Sequence, residues 1–126
     1  MTIPLLEPML SDFRPRTVAW LIQRYIEEMA QPSMKPLGES QRYTLRLVGR
    51  SPLGQKIGAK LTKADIIAYC RARRQQFVKN TTRVVSAATV NQEMSFLGVV
   101  LKYAGAAWDD CDDVSDAAVS AAKPFL

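Results

Sequence analysis

Three arginines recur at four-residue steps in the stretch ESQRYTLRLVGR, and arginine at this spacing can bind phosphate. In a helix, Arg42, Arg46 and, if the helix extends so far, Arg50 would lie one above another on a single face. Like charges at this spacing cost about 0.2–0.5 kcal/mol per pair, so a negatively charged partner is expected. A guanidinium binds phosphate oxygens through two parallel hydrogen bonds, so this face predicts a contact to nucleic acid. The alternative is a solvated face whose side-chain stems cover apolar neighbours.

A second basic group spans the end of one predicted helix and the loop before the next. Cations at the C-terminus of a helix also stabilise its dipole, and this explanation suffices for three members, Arg73, Arg74 and Lys79. The complete group is Arg71, Arg73, Arg74, Lys79 and Arg83.

Arg83 needs a different explanation because it precedes the start of the last predicted helix. There the free N–H groups from Ser86 to Thr89 can meet a phosphate, and Asn91 can reach a base edge. Ser86 as a simple N-cap is the alternative to a direct contact. This region is therefore a second predicted DNA contact.

The residue inventory argues against catalysis by this chain. It contains no histidine, which excludes the usual hydrolase triads and histidine-dependent metal sites. No phosphate-binding glycine motif is present. The acidic run DDCDD lacks the spacing of an EF-hand, so a solvated acidic segment is expected rather than a metal site. Four tyrosines lie at or beside apolar stripes, where packing is the expected role: Tyr25, Tyr43, Tyr69 and Tyr103. No catalytic residue, metal or cofactor is predicted.

Length and composition indicate one folded domain. The chain has 126 residues, of which 48% are hydrophobic, and no run approaches the roughly 18 apolar residues that span a bilayer. No signal peptide pattern precedes the first helix, so a soluble cytoplasmic protein with no membrane partner is expected. Cys70 and Cys111 are isolated and are predicted to be reduced thiols.

Charge is distributed unevenly along the chain. The net charge is +5, but residues 1–108 carry 16 Lys and Arg against 7 Asp and Glu, whereas residues 109–126 carry 1 against 5. A basic body favours a polyanionic partner, and nucleic acid is the commonest one for a small helical domain. A cationic surface without a ligand is the alternative.

Apolar periodicity predicts the first two helices. Helix one follows Thr17 as N-cap, and helix two runs from near Ser40 to Gly49. The predicted buried stripe of helix one is Val18, Leu21, Ile22, Tyr25, Ile26 and Met29. Helix two is predicted to bury Tyr43, Leu47 and either Leu45 or Val48, and Ile57 is the predicted apolar anchor of the following loop.

Two clear N-terminal signals predict helices three and four. Thr62 and Asp65 have the spacing of a capping box, and Ser86 is the predicted N-cap of helix four. Helix three is predicted to bury Ile66, Ile67, Cys70 and Phe77, and helix four Val90, Met94, Leu97, Leu101 and Ala104. Because no sustained alternating strand pattern occurs, we expect an all-α orthogonal bundle of four main helices without a sheet.

Both ends are predicted to pack less firmly than the body. Residues 1–16 form an expected N-terminal arm that packs irregularly through apolar side chains, namely Leu5, Leu6, Met9 and Leu10. Residues 109–126 form an expected acidic linker, in which Ser115 could cap a short, marginal helix through Lys123.

The stretch ATVNQEMSFLGVVLKYA, from Ala88 to Ala104, resembles the helix that closes the core-binding domain of phage integrases, which are tyrosine recombinases. The resemblance extends from about Thr17 to Trp108. It includes TVAWLIQRYIEEMA and then RYTLRLVGRSPLGQKIGAKLTKADIIAYCRARR, in the order and spacing of that family. It implies a SAM-like bundle and, from the bacterial or phage setting of this family, a bacterial or phage origin.

The resemblance also implies a function. In core-binding domains the second and last helices face duplex DNA, which here implies contacts from Arg42, Arg46, Ser86, Thr89 and Asn91. The domain would position a separate catalytic domain beyond the linker for DNA integration or excision, beside recombinase protomers on neighbouring half-sites. This chain would then be part of a longer enzyme and would not itself be one.

Two other classes of function are open to a small basic helical domain. A helical protein-interaction module would use its basic face against an acidic partner and would expose apolar residues in a groove. DNA binding would instead need the arginine stripe of helix two on the same face as the start of helix four. A stand-alone DNA-binding regulator would need a helix-turn-helix pair, but helices three and four are separated too widely for the usual short turn.

Overall fold

The computed structural model describes residues 16–125, and within them the chain is helical without a sheet. The helices are α1 (Val18–Met29), α2 (Glu39–Arg50), α3 (Lys63–Arg73), α4 (Ala87–Ala107) and α5 (Ala117–Ala122). Single 3-10 turns occupy Pro52–Gln55, Gly58–Lys60, Asp109–Cys111 and Lys123–Phe125. The all-α prediction is confirmed. Most of the predicted N-terminal arm, residues 1–15, lies outside the described residues.

Helix α1 forms as the sequence predicts. The hydroxyl of Thr17 accepts a 3.2 Å hydrogen bond from the backbone N–H of Trp20, which satisfies one of the free donors of the first turn. All six predicted stripe residues are buried. The stripe packs against α2 and α4, so α1 is central to the core.

The predicted buried face of α2 is confirmed for Leu45 and Val48, of which only one was expected, and is wrong for Tyr43. Leu45 and Val48 are both fully buried, whereas Tyr43 is 58% exposed and Leu47 is only half-buried. Tyr43 precedes Leu45 by two residues and therefore points away from it around the helix. The apolar residues of this short helix are compatible with more than one buried face. Its contacts with α1 and α4 determine that the face with Leu45 and Val48 is the buried one.

The connection after α2 is anchored by a residue other than the predicted one. Leu53 is 3% exposed, whereas Ile57 is half-buried and pairs with Thr17 in an isolated antiparallel bridge. Gly54 is required for this path, because a Cβ atom there would lie 1.9 Å from the carbonyl oxygen of Gly49.

The predicted start of α3 is confirmed, and one predicted core residue is wrong. Thr62 and Asp65 form the complete capping box. Ile66 and Cys70 are buried, as is Tyr69, and Ile67 is half-buried. Phe77 is 64% exposed, because the helix ends at Arg73 and the chain has turned away from the core before this residue.

Helix α4 begins at the predicted N-cap and buries the predicted stripe. The hydroxyl of Ser86 accepts a 3.1 Å hydrogen bond from the backbone N–H of Thr89. The five predicted stripe residues are buried, and so are Val100 and Glu93. Glu93 is 3% exposed and is the buried charged residue of the described chain.

The prediction that residues 109–126 pack loosely is wrong for the described part of this segment. Cys111, Val114, Val119 and Ala122 are all at most 3% exposed. A helix as short as α5 would be only marginally stable if it were exposed to solvent. It is stabilised here because it packs against α3 and α4. The tail therefore completes the core on the side of α3.

No helix within residues 16–125 combines the length and apolarity needed to cross a membrane.

Candidate nucleic-acid interface

Positive charge is concentrated in the middle of the chain. Between Glu39 and Glu93 the sequence has eleven Lys and Arg and a single acidic residue, Asp65. The Asp65 carboxylate accepts the backbone N–H of Thr62 at 3.1 Å in the capping box and lies 3.8 Å from the Lys56 ammonium group. Little negative charge is left to balance α2, α3 and the loop that follows.

The arginines of the α1 side are instead balanced by the acidic tail. Asp110 accepts hydrogen bonds from Arg24 at 2.9 Å and from Arg16 at 3.3 Å. The bond from Arg24 is the largest cause that lowers the pKa of the Asp110 carboxyl. The Arg24 guanidinium also lies 4.2 Å from the ring centre of Trp108, and Arg16 lies 4.4 Å from that of Trp20. These arginines hold the tail against α1.

The predicted arginine stripe on α2 is divided in the structure. Arg42 is half-buried and its Nη1 donates a 2.8 Å hydrogen bond to the carbonyl oxygen of Leu37. Arg46 and Arg50 are exposed and form no ion pair with any described residue. They line a shallow groove of about 270 Å³ together with α1 residues such as Gln23. Arg46 and Arg50 are thus the free cations of this stripe.

The start of α4 presents the predicted polar residues at the surface. Ser86, Thr89 and Asn91 are exposed. The Ser86 and Thr89 hydroxyls lie 3.0 Å apart and hydrogen-bond to each other. The N-cap role of Ser86 is therefore confirmed, and its contact with DNA stays a prediction.

A cleft between α3 and the start of α4 contains Arg71 and Arg74, two members of the second basic group. The cleft has a volume of about 370 Å³, and Arg71 and Arg74 line it together with Asn91. Ile67, Val90 and the exposed Phe125 supply part of its apolar lining. The three- and four-residue steps from Ile67 to Arg71 and Arg74 were the sequence signal for a shared face.

Predicted DNA-contacting residues therefore line two different grooves. Arg46 and Arg50 lie beside α1, whereas Asn91 lies beside Arg71 and Arg74 in the cleft. Among the described residues, no hydrogen bond or ion pair joins these two groups. Arg83 is exposed in the loop between α3 and α4.

Arg73 is withdrawn from the surface by a buried network. Its Nε lies 3.1 and 3.0 Å from the two carboxylate oxygens of Glu93, and its Nη2 lies 2.9 Å from one of them. Tyr69 donates a 2.7 Å hydrogen bond to the same carboxylate. Burial opposes the charged form of Arg73, but the bonds to Glu93 outweigh it and raise its pKa. This network fastens α3 to α4.

Tyr25, Tyr69 and Tyr103 have pKa values above that of a free phenol. Burial, then the hydrogen bond to Glu93, raises the pKa of Tyr69 far above its ordinary value. Burial likewise raises the pKa of Tyr25, and the hydrogen bond to Glu28 raises that of Tyr103. Tyr25 and Tyr69 are buried and Tyr103 is half-buried, as expected for residues that pack in the core.

No cluster of three or more potential metal ligands occurs in residues 16–125. Cys70 and Cys111 are free, buried thiols, and burial raises the pKa of Cys70 to about 11.

Comparison of the chain with protein-family models, with curated proteins and with solved structures gives no match.

Proposed function

We propose that this chain is a DNA-binding domain of the core-binding type found in phage-like tyrosine recombinases. It would bind duplex DNA at a recombination half-site and position a separate catalytic domain for integration or excision. The resemblance of residues 17–108 to that family supports the recombinase assignment, and the described helices are compatible with it.

The main support for DNA binding is the number of Lys and Arg side chains on α2, α3 and the α3–α4 loop that form no ion pair with a described residue. Four cationic groups of the described chain form ion pairs, namely Arg16, Arg24, Lys56 and Arg73. The cations without such pairs include Arg46, Arg50, Arg71, Arg74, Lys79 and Arg83. Phosphates of a duplex would supply the missing negative charge and would release bound counterions in doing so.

The role of each predicted contact follows from its chemistry. Arg46, Arg50, Arg71 and Arg74 would bind phosphates, since guanidinium groups suit phosphate oxygens. Asn91 can form two hydrogen bonds to the edge of an adenine and would contribute sequence discrimination. Because Arg42 is already bound to the Leu37 carbonyl, its contribution would be smaller than that of Arg46.

Charge reversal on α2 tests this proposal. We expect the double variant Arg46→Glu, Arg50→Glu to bind duplex DNA more weakly and to flatten the plot of log affinity against log salt by about two units. The matched control is Lys102→Glu, Lys123→Glu, which makes the same charge change at exposed sites that line one groove of α4 and the tail. Fluorescence anisotropy at several salt concentrations measures both, with circular dichroism as the check of folding.

Sequence discrimination needs a separate variant. Asn91→Ala should lose about 1–3 kcal/mol of preference for the cognate half-site over a scrambled duplex, with little change in salt slope. If the α2 variant and its control bind equally well, α2 does not face DNA. If the wild type fails to bind any duplex, the proposal as a whole is wrong.

The second candidate function is a helical protein-interaction module, and the apolar part of the α3–α4 cleft favours it. An acidic amphipathic helix would place its apolar side against Ile67, Val90 and Phe125 and its carboxylates near Arg71 and Arg74. Absence of DNA binding, together with saturable binding of a synthetic acidic amphipathic peptide, would select this alternative.

A further inference from the structure

The loop between α3 and α4 is an ordered hairpin. Phe77 and Val84 form an antiparallel bridge, and two backbone hydrogen bonds flank it. The N–H of Val78 donates to the carbonyl of Arg83 at 2.8 Å, and the N–H of Val85 donates to that of Gln76 at 2.9 Å. Phe77 and Val84 are thus a cross-strand pair whose side chains lie on the same face of the hairpin.

The tip of the hairpin is held by its own side chains. The N–H and the hydroxyl of Thr81 both donate to the carbonyl of Val78, at 3.0 and 2.8 Å. The hydroxyl of Thr81 in turn accepts the N–H of Arg83 at 3.2 Å. Asn80 has a φ of 63°, a left-handed conformation that asparagine tolerates better than most residues. The base is held by Val85, which is only 2% exposed.

This ordered hairpin exposes apolar side chains. Phe77 is 64% exposed, Val84 50% and Val78 37%, although the core lies directly beyond Val85. Exposed apolar residues that cluster on a fixed element mark an interaction surface. Because the hairpin backbone is already held in one conformation, it would lose little conformational entropy when a partner binds. This favours the hairpin as a binding surface.

The charges around the hairpin indicate the kind of partner. From residue 66 to residue 92 the sequence contains no acidic residue, and the hairpin itself carries Lys79 and Arg83. Both cations are exposed and form no ion pair in the described chain. An apolar pair between cations suits a polyanion that also offers an apolar surface, and the base faces that become exposed when a base step of DNA is partly unstacked offer one.

We infer that the hairpin of residues 76–85 contacts duplex DNA, placing Phe77 and Val84 against the bases in the minor groove while Lys79 and Arg83 bind the flanking phosphates. This inference rests on the proposed DNA binding and adds to it an apolar contact outside the helices. Proteins that insert apolar side chains between base steps unstack them and bend the duplex, so a bend at the half-site is expected.

The test is the double variant Phe77→Ala, Val84→Ala in the full chain. Both side chains are largely exposed, so the fold should be retained, and all charges are unchanged. The control is Val99→Ala, which truncates a 48% exposed side chain on α4 in the groove that also contains Lys102. Anisotropy gives the affinity for a half-site duplex, and energy transfer between dyes on the two duplex ends gives the bend.

We expect the hairpin variant to bind about tenfold more weakly, with reduced energy transfer and an unchanged salt slope. The control should match the wild type in both measurements. Unchanged affinity and bend in the hairpin variant would overturn the inference. So would a variant that changes only the self-association of the protein in sedimentation, because the hairpin would then contact a second copy.

The two proposals fail in distinguishable ways. If charge reversal at Arg46 and Arg50 weakens DNA binding but the hairpin variant does not, DNA binding stands and the hairpin contact is wrong. If the wild type does not bind DNA at all, the proposed function and the hairpin contact both fall.

Discussion

Tyr69 on α3 donates a 2.7 Å hydrogen bond to the buried carboxylate of Glu93 on α4, and Arg73 binds that carboxylate from one helical turn further along α3. Two helices separated by a thirteen-residue connection are thereby joined through a single charged side chain that is 3% exposed. The Arg73 guanidinium balances the charge, and the phenol occupies a further acceptor site. Tyr69 and Arg73 also line a groove of about 290 Å³.

Removal of Glu93 should be strongly destabilising. Glu93→Ala leaves the guanidinium of Arg73 without its partner in a mostly buried position, so we expect a loss of about 3–5 kcal/mol in the free energy of unfolding. Urea denaturation followed by circular dichroism measures it. Glu27→Ala, at an exposed glutamate whose carboxylate accepts a hydrogen bond from Gln23, should change stability by less than about 0.5 kcal/mol. Similar losses in both variants would show that the network adds little.

Two glycines of α4 should respond oppositely to the same substitution. At Gly105 a Cβ atom would lie 2.2 Å from the carbonyl oxygen of Val114, so Gly105→Ala should push the tail away and cost about 1–3 kcal/mol. At Gly98 the nearest atom to a Cβ is a Val119 methyl at 3.7 Å. Gly98→Ala should therefore stabilise the helix by up to about 1 kcal/mol. Thermal denaturation compares them, and stabilisation by both substitutions would mean that the tail does not pack as described.

Stability should decline at alkaline pH. Burial raises the pKa of Cys70 from 9.0 to about 11 and also raises that of Tyr69. The unfolded chain releases these protons first, so the contribution of Cys70 is fully present below pH 9 and is lost between pH 9 and 11. A loss on the order of 2 kcal/mol is expected from Cys70 over this window.

Cys70→Ala isolates the thiol in the alkaline experiment. The variant should be less stable at pH 8 because of lost packing, yet it should lose less stability than the wild type on going to pH 10.5. Urea midpoints at the two pH values give the comparison. Equal losses in the two proteins would exclude the thiol as a cause.

The ion pairs of Asp110 should contribute little to the free energy of unfolding, and only at pH values where its carboxyl is ionised. Its carboxyl has a lowered pKa, chiefly through the hydrogen bond from Arg24, so its stabilising effect is present above about pH 3.8 and is lost as the pH falls through the folded pKa. Because the side chain is 45% exposed, Asp110→Asn should cost less than about 1 kcal/mol at pH 7. The difference from the wild type should shrink as the pH falls below 3.8 and the carboxyl becomes protonated, and a difference that does not shrink would indicate a cause other than charge.

The local features of this chain could be predicted because they depend on neighbours within a few residues. Thr17, Thr62 and Ser86 are the N-caps of α1, α3 and α4, as the sequence predicts. The apolar stripes of α1 and α4 are long enough to define a single buried face on each helix. The exposed Ser86, Thr89 and Asn91 follow from the same register. An N-cap bond and an i, i+3, i+4 pattern are complete within one or two turns.

Other features were decided by contacts between distant segments. The short helix α2 offers more than one apolar face, and only α1 and α4 select Leu45 over Tyr43. Glu93 is buried because Tyr69 and Arg73 meet it from another helix, and the acidic tail is folded because Asp110 reaches Arg24, 86 residues earlier. The division of the arginines into free and paired groups has the same origin. Periodicity records which residues share a helical face, but burial and charge pairing depend on what packs against that face.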